Sequence, residues 1–313
     1  KGHFTDATSR LAPALSQPGL VTDALWQDLD RDGQQELILV GEWMPVQIFG
    51  LQSGTFEDQT GKFLDQEYQG WWNTLTSTDV NSDGIPDLIA GNMGTNTQFR
   101  VSTEEPAEMH YADFDQNGSV DPVFSFFIRG KSFPYLTRDE LLGQLASLRS
   151  KFTTYASYAD ATLTDIFSAS QLEQAGKLSA NHMATTLFLS TADGHYKSVP
   201  LPRQAQYSPV YQVATGDFNA DGNEDLILFG NNNYFKLRLG RFDANMGTLL
   251  LGDGKGNFDY VPQPQSGLFV KGDVRSVVRI GDLLLIGVYG GELKTLRLNS
   301  PSNLKSDEMA PSK

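Results

Sequence analysis

Thirteen of the chain's 38 acidic residues occupy the ligand positions of four copies of one nine-residue pattern, D-x-[DN]-x-[DN]-G-x-x-[DE]. The copies open at Asp28, Asp79, Asp113 and Asp217. A tight turn of this kind aims alternate side chains at one centre. Positions one, three and five supply carboxylate or amide oxygens, position seven its carbonyl, and position nine a carboxylate. Glycine at position six permits the sharp turn. Six to eight hard oxygens around one point are what calcium takes. The first set is Asp28, Asp30, Asp32, the Gln34 carbonyl and Glu36. The second is Asp79, Asn81, Asp83, the Ile85 carbonyl and Asp87. The third is Asp113, Asp115, Asn117, the Ser119 carbonyl and Asp121. The fourth is Asp217, Asn219, Asp221, the Asn223 carbonyl and Asp225. Up to four Ca²⁺ ions are therefore expected.

An EF-hand would need Glu at position twelve and flanking helices. Position twelve is Leu39, Ala90, Phe124 or Leu228, and each copy runs into an apolar strand-like stretch. Metal-free Asx-turns are the simpler alternative, and four copies in register argue against it. The formal charge of −14 points the same way. Four Ca²⁺ would bring it to about −6, each ion contributing two charges.

The remaining composition narrows the classes. Residues are 39% hydrophobic and 20% charged, ordinary for a folded protein. The longest apolar runs, such as Leu37–Gly41 and Leu283–Gly287, are far short of a membrane span. The acidic balance disfavours nucleic acid and anionic membranes as partners. There is no Cys, hence no disulfide or thiolate chemistry. The four histidines, His3, His110, His182 and His195, have no zinc-like spacing. No signal peptide is visible, and a chain beginning at Lys1 is expected to have its native start upstream.

What must position these loops is a repeat. The openings lie 51, 34 and 104 residues apart, and units of about 50 residues are the range of propeller blades. The short interval suggests an abbreviated blade and the long one an insertion. Around the first loop four strands are expected, at 24–28, 37–41, 45–50 and 54–60. The last of these is echoed at 194–199 and 256–261. Four antiparallel strands make a blade. The expected fold is thus all-β, a propeller of about five recognisable four-stranded blades over residues 1–298, either closed on itself or part of a larger, seven-bladed one. The final unit, 274–298, lacks the acidic loop and a fourth strand. Gly2–Thr8 matches the fourth-strand pattern, so it either completes that blade or ends a lost one. Residues 137–178 read as an α-helical insertion. Thr137 with Glu140, and Ser170 with Glu173, look like capping pairs ahead of leucines at helical spacing. Residues 299–313, rich in Ser, Pro, Asn and Lys, are expected to be a disordered tail.

At this point the chain resembles FG-GAP or VCBS repeats, as in the integrin α-chain propeller. It is more similar to the bacterial proteins related to cartilage acidic protein, common in Bacteroidetes. These often carry such a propeller after an ASPIC/UnbV-type segment, which is not present here. The residues carrying the likeness are Val40-Gly-Glu-Trp-Met-Pro45, Gly70-Trp-Trp-Asn73, Gly91-Asn-Met-Gly94, the stretch Gly252-Asp-Gly-Lys-Gly-Asn-Phe258, and Tyr155-Ala-Ser-Tyr-Ala159. The resemblance implies an extracellular, cell-surface or periplasmic bacterial protein, and an integrin-like adhesion or recognition role.

A ligand would meet the residues that follow each second strand, which in a propeller converge on one rim. Candidates are Trp43, Trp72, Asn92, Asn231, Arg241 and Tyr289, with Trp71 as a further stacking surface. Filling the wedges between blades is the competing role for the aromatics. A surface salt bridge is the competing role for Arg241, in the polar stretch 236–245. For catalysis there is no Gly-x-Ser-x-Gly elbow, P-loop or Rossmann fingerprint, and the paired carboxylates are committed to the loops. The expectation is a non-enzymatic calcium-binding module that recognises a protein or glycan. A propeller-type polysaccharide lyase or hydrolase is the alternative, and a purely structural module a third reading.

Overall fold

A computed structural model describes residues 2–298, so the tail expected at 299–313 lies outside the described residues. The chain divides into two compact units. The first comprises the residues up to Glu67, Trp71–Asn96, and those from Ala184 onward. It holds four antiparallel sheets, each with its strands in chain order. The first blade is Leu20–Gln27, Glu36–Pro45, Gln47–Gln52 and Thr55–Asp58. The second is Thr74–Thr78, Asp87–Gly91, Thr186–Ser190 and Tyr196–Pro200. The third is Val210–Gly216, Asp225–Gly230, Thr248–Gly252 and Phe258–Val261. The fourth has three strands among the described residues, Val274–Ile280, Leu283–Val288 and Lys294–Arg297.

The first strands of these blades pack side by side in the order one, two, three, four, the arrangement of inner strands in a propeller-like fold. Polar side chains fasten the neighbours: Thr74 Oγ1 and the Leu75 amide donate to Asp23 Oδ2 at 3.0 and 2.8 Å. The apolar runs belong to the second strands. All six residues of Asp225–Gly230 are buried. Leu226 and Leu228 pack with Ile89, Leu187 and Val210 towards the second blade. Ile227 and Phe229 pack with Val274, Leu284 and Ile286 towards the fourth. A strand sandwiched between two neighbours must be apolar on both faces, which is why it reads as a run rather than an alternation. The run ends in glycine for a steric reason. A β-bulge at Val210 presses the chain against Gly230, where a Cβ would lie 1.7 Å from the Pro209 carbonyl oxygen.

The second unit is Tyr68–Gly70 with Thr97–Met183. Its sheet has the order Lys131–Pro134, Asp121–Ile128, Ala107–Ala112, Gly176–Ala180. Short helices at Arg138–Gln144, Tyr155–Ala159, Leu163–Ile166 and Ala169–Gln174 cover it. Leu141, Leu142, Leu145, Phe152, Ile166 and Phe167 form a core with Val123. Thr137 and Glu140 make a reciprocal capping box. The second expected cap is displaced. Ser168 with Gln171 caps Ala169–Gln174, and Ser170 lies inside that helix.

Two further expectations change. The 34-residue interval is not a shortened blade. The chain leaves the second blade after Gly91, builds the sheet and helices of the second unit, and returns to that blade at Thr186. The Asp113 loop therefore belongs to the inserted sheet. Gly2–Thr8 forms no strand. Its Phe4 is fully exposed, so nothing buries the apolar residue that a fourth strand would offer, and Thr8–Leu11 turns helical instead.

Candidate functional site

Each of the four acidic loops joins two adjacent strands, and all four fold alike. The position-one carboxylate accepts the glycine amide of position six. Gly33 donates to Asp28 at 3.0 Å, Gly84 to Asp79 at 2.7 Å, Gly118 to Asp113 at 2.8 Å and Gly222 to Asp217 at 3.0 Å. The position-five side chain accepts the amide of position seven, as in Gln34 to Asp32 at 2.7 Å and Ser119 to Asn117 at 2.8 Å. The position-nine carboxylate reaches back to the amide of position two. Leu29 donates to Glu36, Val80 to Asp87, Phe114 to Asp121 and Phe218 to Asp225, at 2.8–3.1 Å.

The backbone explains the spacing. Position six is left-handed, with φ between 77° and 89° at Gly33, Gly84, Gly118 and Gly222. Position four is left-handed too, at Arg31, Ser82, Gln116 and Ala220, with φ of 59–62°. That second left-handed residue is not signalled in the sequence, because its identity varies. It costs about 1–2 kcal/mol at a non-glycine residue, which the side-chain-to-amide bonds around it offset.

The loops differ in how their acids gather. Oxygens of Asp28, Asp30 and Glu36 lie within 4.8 Å of one another, as do those of Asp113, Asp115 and Asp121. Among the described residues these are the two loops that bring three carboxylates together. Asp32 is not in the first triple, although its oxygen still accepts from Gln34. In the loops opening at Asp79 and Asp217, position three is Asn. Asn81 Nδ2 donates to Asp83 Oδ2 at 2.9 Å, and Asn219 Nδ2 to Asp221 Oδ2 at 2.8 Å. Their amide oxygens instead converge with position one on the amide of position five.

The electrostatics are those of crowded acids. Burial lifts Glu36, Asp87, Asp121 and Asp225 above the usual carboxylate range, and the other loop acids push the same way. Asp28 Oδ1 and Asp115 Oδ1 are buried with no hydrogen-bond partner. A buried, unpaired carboxylate oxygen is costly unless a cation meets it. Asp30 behaves differently. Burial raises its pKa, but the Lys62 ammonium bonded to it holds it below its ordinary value. Lys62, on the helical turn Thr60–Phe63, was not visible as a partner in the sequence, because nothing in the spacing brings it to the loop.

The expected ligand residues separate into scaffold and surface. Trp72 is fully buried with its ring tilted against that of Phe188, so it fills a wedge and does not face a ligand. Asn92 is fully buried, and its Oδ1 accepts from the Trp71 and Met93 amides. Asn231 is buried too, with φ of 81°, and clamps Asn245 and Gly272. Trp43 is half-buried with its ring edge-on to Trp71 at 5.0 Å. Tyr289 is 64% exposed and Arg241 is exposed. Tyr234, 73% exposed and 5.5 Å from Tyr289, joins them. It also leaves a second strand through a polar Asn-Asn-Asn turn, the signal that could have placed it in the set.

The comparisons with known proteins agree with this repeat. Residues 1–90 match the FG-GAP-like repeat family. That stretch spans the first blade, the opening two strands of the second and the loops at Asp28 and Asp79. The loop at Asp217, beyond the FG-GAP-like match, shares their hydrogen bonds position for position. No curated protein matches the chain significantly.

Proposed function

We propose that the chain is a non-enzymatic, calcium-binding propeller module, secreted, cell-surface or periplasmic, that recognises a protein or glycan through one face. The observation carrying this is the pair of buried, unpartnered oxygens, Asp28 Oδ1 and Asp115 Oδ1, each inside a three-carboxylate cluster in an FG-GAP-type loop. The donor set is all oxygen, which suits a hard cation. In the first loop Asp28, Asp30 and Glu36 would hold the ion; in the inserted sheet, Asp113, Asp115 and Asp121. In the other two loops Asn81 and Asn219 stand at position three and no three-carboxylate cluster gathers, so these would bind more weakly. The ion's contribution is charge neutralisation at a strand junction, with no reaction step.

The resemblance to integrin α-chain propellers and to bacterial relatives of cartilage acidic protein supports an extracellular setting and a recognition role. Among the described residues no helix is long and apolar enough to cross a membrane. The paired carboxylates of the four loops are committed to the proposed ion sites, which favours binding over lyase chemistry there.

Melting the protein in EGTA and in millimolar calcium tests the reading. Extracellular calcium modules bind at about 10⁻⁴–10⁻³ M, so at millimolar calcium linkage adds about 0.4–1.4 kcal/mol per site. A rise of several degrees in calcium is expected. Equal melting temperatures overturn the proposal.

A further inference from the structure

The third and fourth blades meet in a surface that the calcium loops do not use. We infer that this surface, which carries Tyr234 and Tyr289, binds an acidic polysaccharide, one bearing carboxylates or sulfates. The inference rests on the reading of the chain as a ligand-binding module and names its ligand's chemistry.

Three segments build the surface. Residues 231–247 link the second and third strands of the third blade, 267–273 enter the fourth blade, and 288–294 link the fourth blade's last two strands. They are held as one platform. The Tyr289 amide donates to the Asp273 carbonyl at 2.8 Å, the Asn233 amide to Asp273 Oδ2 at 2.9 Å, and the Val270 amide to the Met246 carbonyl at 2.9 Å. Arg275 Nη1 donates to the Asn231 carbonyl at 3.0 Å, and its guanidinium lies 3.7 Å over the Tyr211 ring. Within the long segment, Asn232 and Phe242 exchange backbone bonds and Phe235 stacks edge-on to Phe242. A platform fixed in this way loses little conformational entropy on binding.

What the platform displays is aromatic and basic. Tyr234, Tyr289 and Phe269 are 73%, 64% and 58% exposed. Tyr234 and Tyr289 lie together, and large rings paired at one exposed place mark an interaction site more often than scattered ones do. The three segments, extended to Arg275, contain six Lys and Arg against three acids, in a chain whose net charge is −14. One of those acids, Asp273, is buried and engaged by Asn233 and Arg275, so it presents no charge to a ligand. Lys236, Arg238, Arg241 and Lys271 are exposed, and Lys271 lies over the Phe269 ring at 5.0 Å. A local basic patch on an acidic molecule draws an anion to that place and repels it elsewhere.

Rings alone would suit a neutral sugar, and cations alone any polyanion. Together they suit sugar rings that carry anionic groups: C–H faces pack on tyrosine, and a guanidinium such as that of Arg241 pairs with carboxylate or sulfate. The two tyrosine rings stand at 84° to each other. They form a corner, which fits a puckered pyranose better than a flat base that needs a parallel slot.

The test is affinity electrophoresis in native gels containing hyaluronate, dextran sulfate or uncharged dextran, at 0.15 M salt and millimolar calcium. Retardation by hyaluronate or dextran sulfate, with none by dextran, is expected. The Tyr234→Ala/Tyr289→Ala double variant and Arg241→Glu should each weaken it at least tenfold at unchanged melting temperature. Lys197→Glu, the same charge change on the exposed outer strand of the second blade, should bind as the parent does. No retardation by either acidic polymer overturns the inference, as does undiminished retardation of the tyrosine double variant. Equal affinity for oligothymidylate also overturns it, since charge alone would then suffice. The calcium-dependent melting shift, read in the same samples, separates the two readings. If the shift persists without polysaccharide binding, only this inference falls.

Discussion

Lys62 places its ammonium on Asp30, the third-position acid of the first acidic loop. The lysine comes from the helical turn that follows the first blade, 32 residues away, and acts as a tethered cation where a metal would come. It raises its own pKa through that bond and lowers that of Asp30. Removing it should have opposite effects on the two states. In Lys62→Met the metal-free protein loses an exposed pair worth about 0.2–1 kcal/mol. The loop then offers calcium an uncompensated carboxylate, so its affinity should rise about three- to tenfold. Calorimetric titration of both proteins checks this. Unchanged or weaker calcium binding would show that Lys62 does not compete for Asp30.

The loops should not contribute equally. Asp28→Ala and Asp115→Ala each remove an oxygen that is buried and unpartnered, and each breaks a three-carboxylate cluster. Either change should abolish one site's share of calcium stabilisation, about 2–3 kcal/mol near saturation. Asn81→Ala takes an amide from a loop where no such cluster forms, and the calcium-dependent part of its stability should fall by less than 1 kcal/mol, as for a single neutral ligand bond. Asp259→Ala, on an exposed strand position outside every loop, is the control. Chemical denaturation with and without chelator gives all four values.

Glycine on a second strand, facing the bulge of the first, is a steric requirement. A Cβ on Gly230 would fall 1.7 Å from the Pro209 carbonyl oxygen, and one on Gly41 2.2 Å from that of Leu20. Both contacts are backbone, so relief requires the bulged strand to move. Gly230→Ala should cost at least about 3 kcal/mol, in the range of core overpacking and beyond. Gly61→Ala, in the turn Thr60–Phe63 with open space around it, should be neutral or stabilise by about 0.5 kcal/mol through the unfolded chain. Urea denaturation of the pair separates the two cases.

The repeat was legible because its chemistry is local. Nine residues contain the turn, its glycine and its oxygens, so the loops at Asp28, Asp79, Asp113 and Asp217 could be placed from spacing alone. Strand runs such as Leu226–Phe229 were legible for the same reason. Connectivity was not. Nothing local distinguishes a loop in the next blade from one in a sheet inserted between Gly91 and Thr186, since both present the same nine residues. Long-range partners were equally hidden: Lys62 on Asp30, and Tyr234 against Tyr289 across 55 residues. Of the rim candidates, Asn92 and Asn231 directly follow second strands, while Trp72 lies ahead of a first strand, and burial turns all three into scaffold. Rim position is set by topology, and exposure only by packing.

His182 gives the inserted unit a pH dependence opposite in sign to that of the loops. Its ring is largely buried, edge-on to Tyr68 at 5.4 Å, and burial lowers its pKa from 6.5 to about 4. Between those values the unfolded chain takes up a proton that the folded chain refuses. Stability from this group is therefore full above pH 6.5 and is lost as pH falls towards 4, by up to about 3 kcal/mol at 1.36 kcal/mol per unit. The position-nine acids, raised by burial, act the other way in the metal-free protein. There the folded chain holds protons that the unfolded chain releases, so acidification just above the ordinary carboxylate range stabilises it. Calcium bound at the loops would remove this second effect by requiring those acids ionised. In saturating calcium, His182→Gln should flatten the fall in stability between pH 6.5 and 4.5 relative to the parent, whatever its stability at pH 7.5. Denaturation midpoints at four pH values for the two proteins provide the comparison. Parallel curves would show that His182 titrates in the folded chain as it does in the unfolded one.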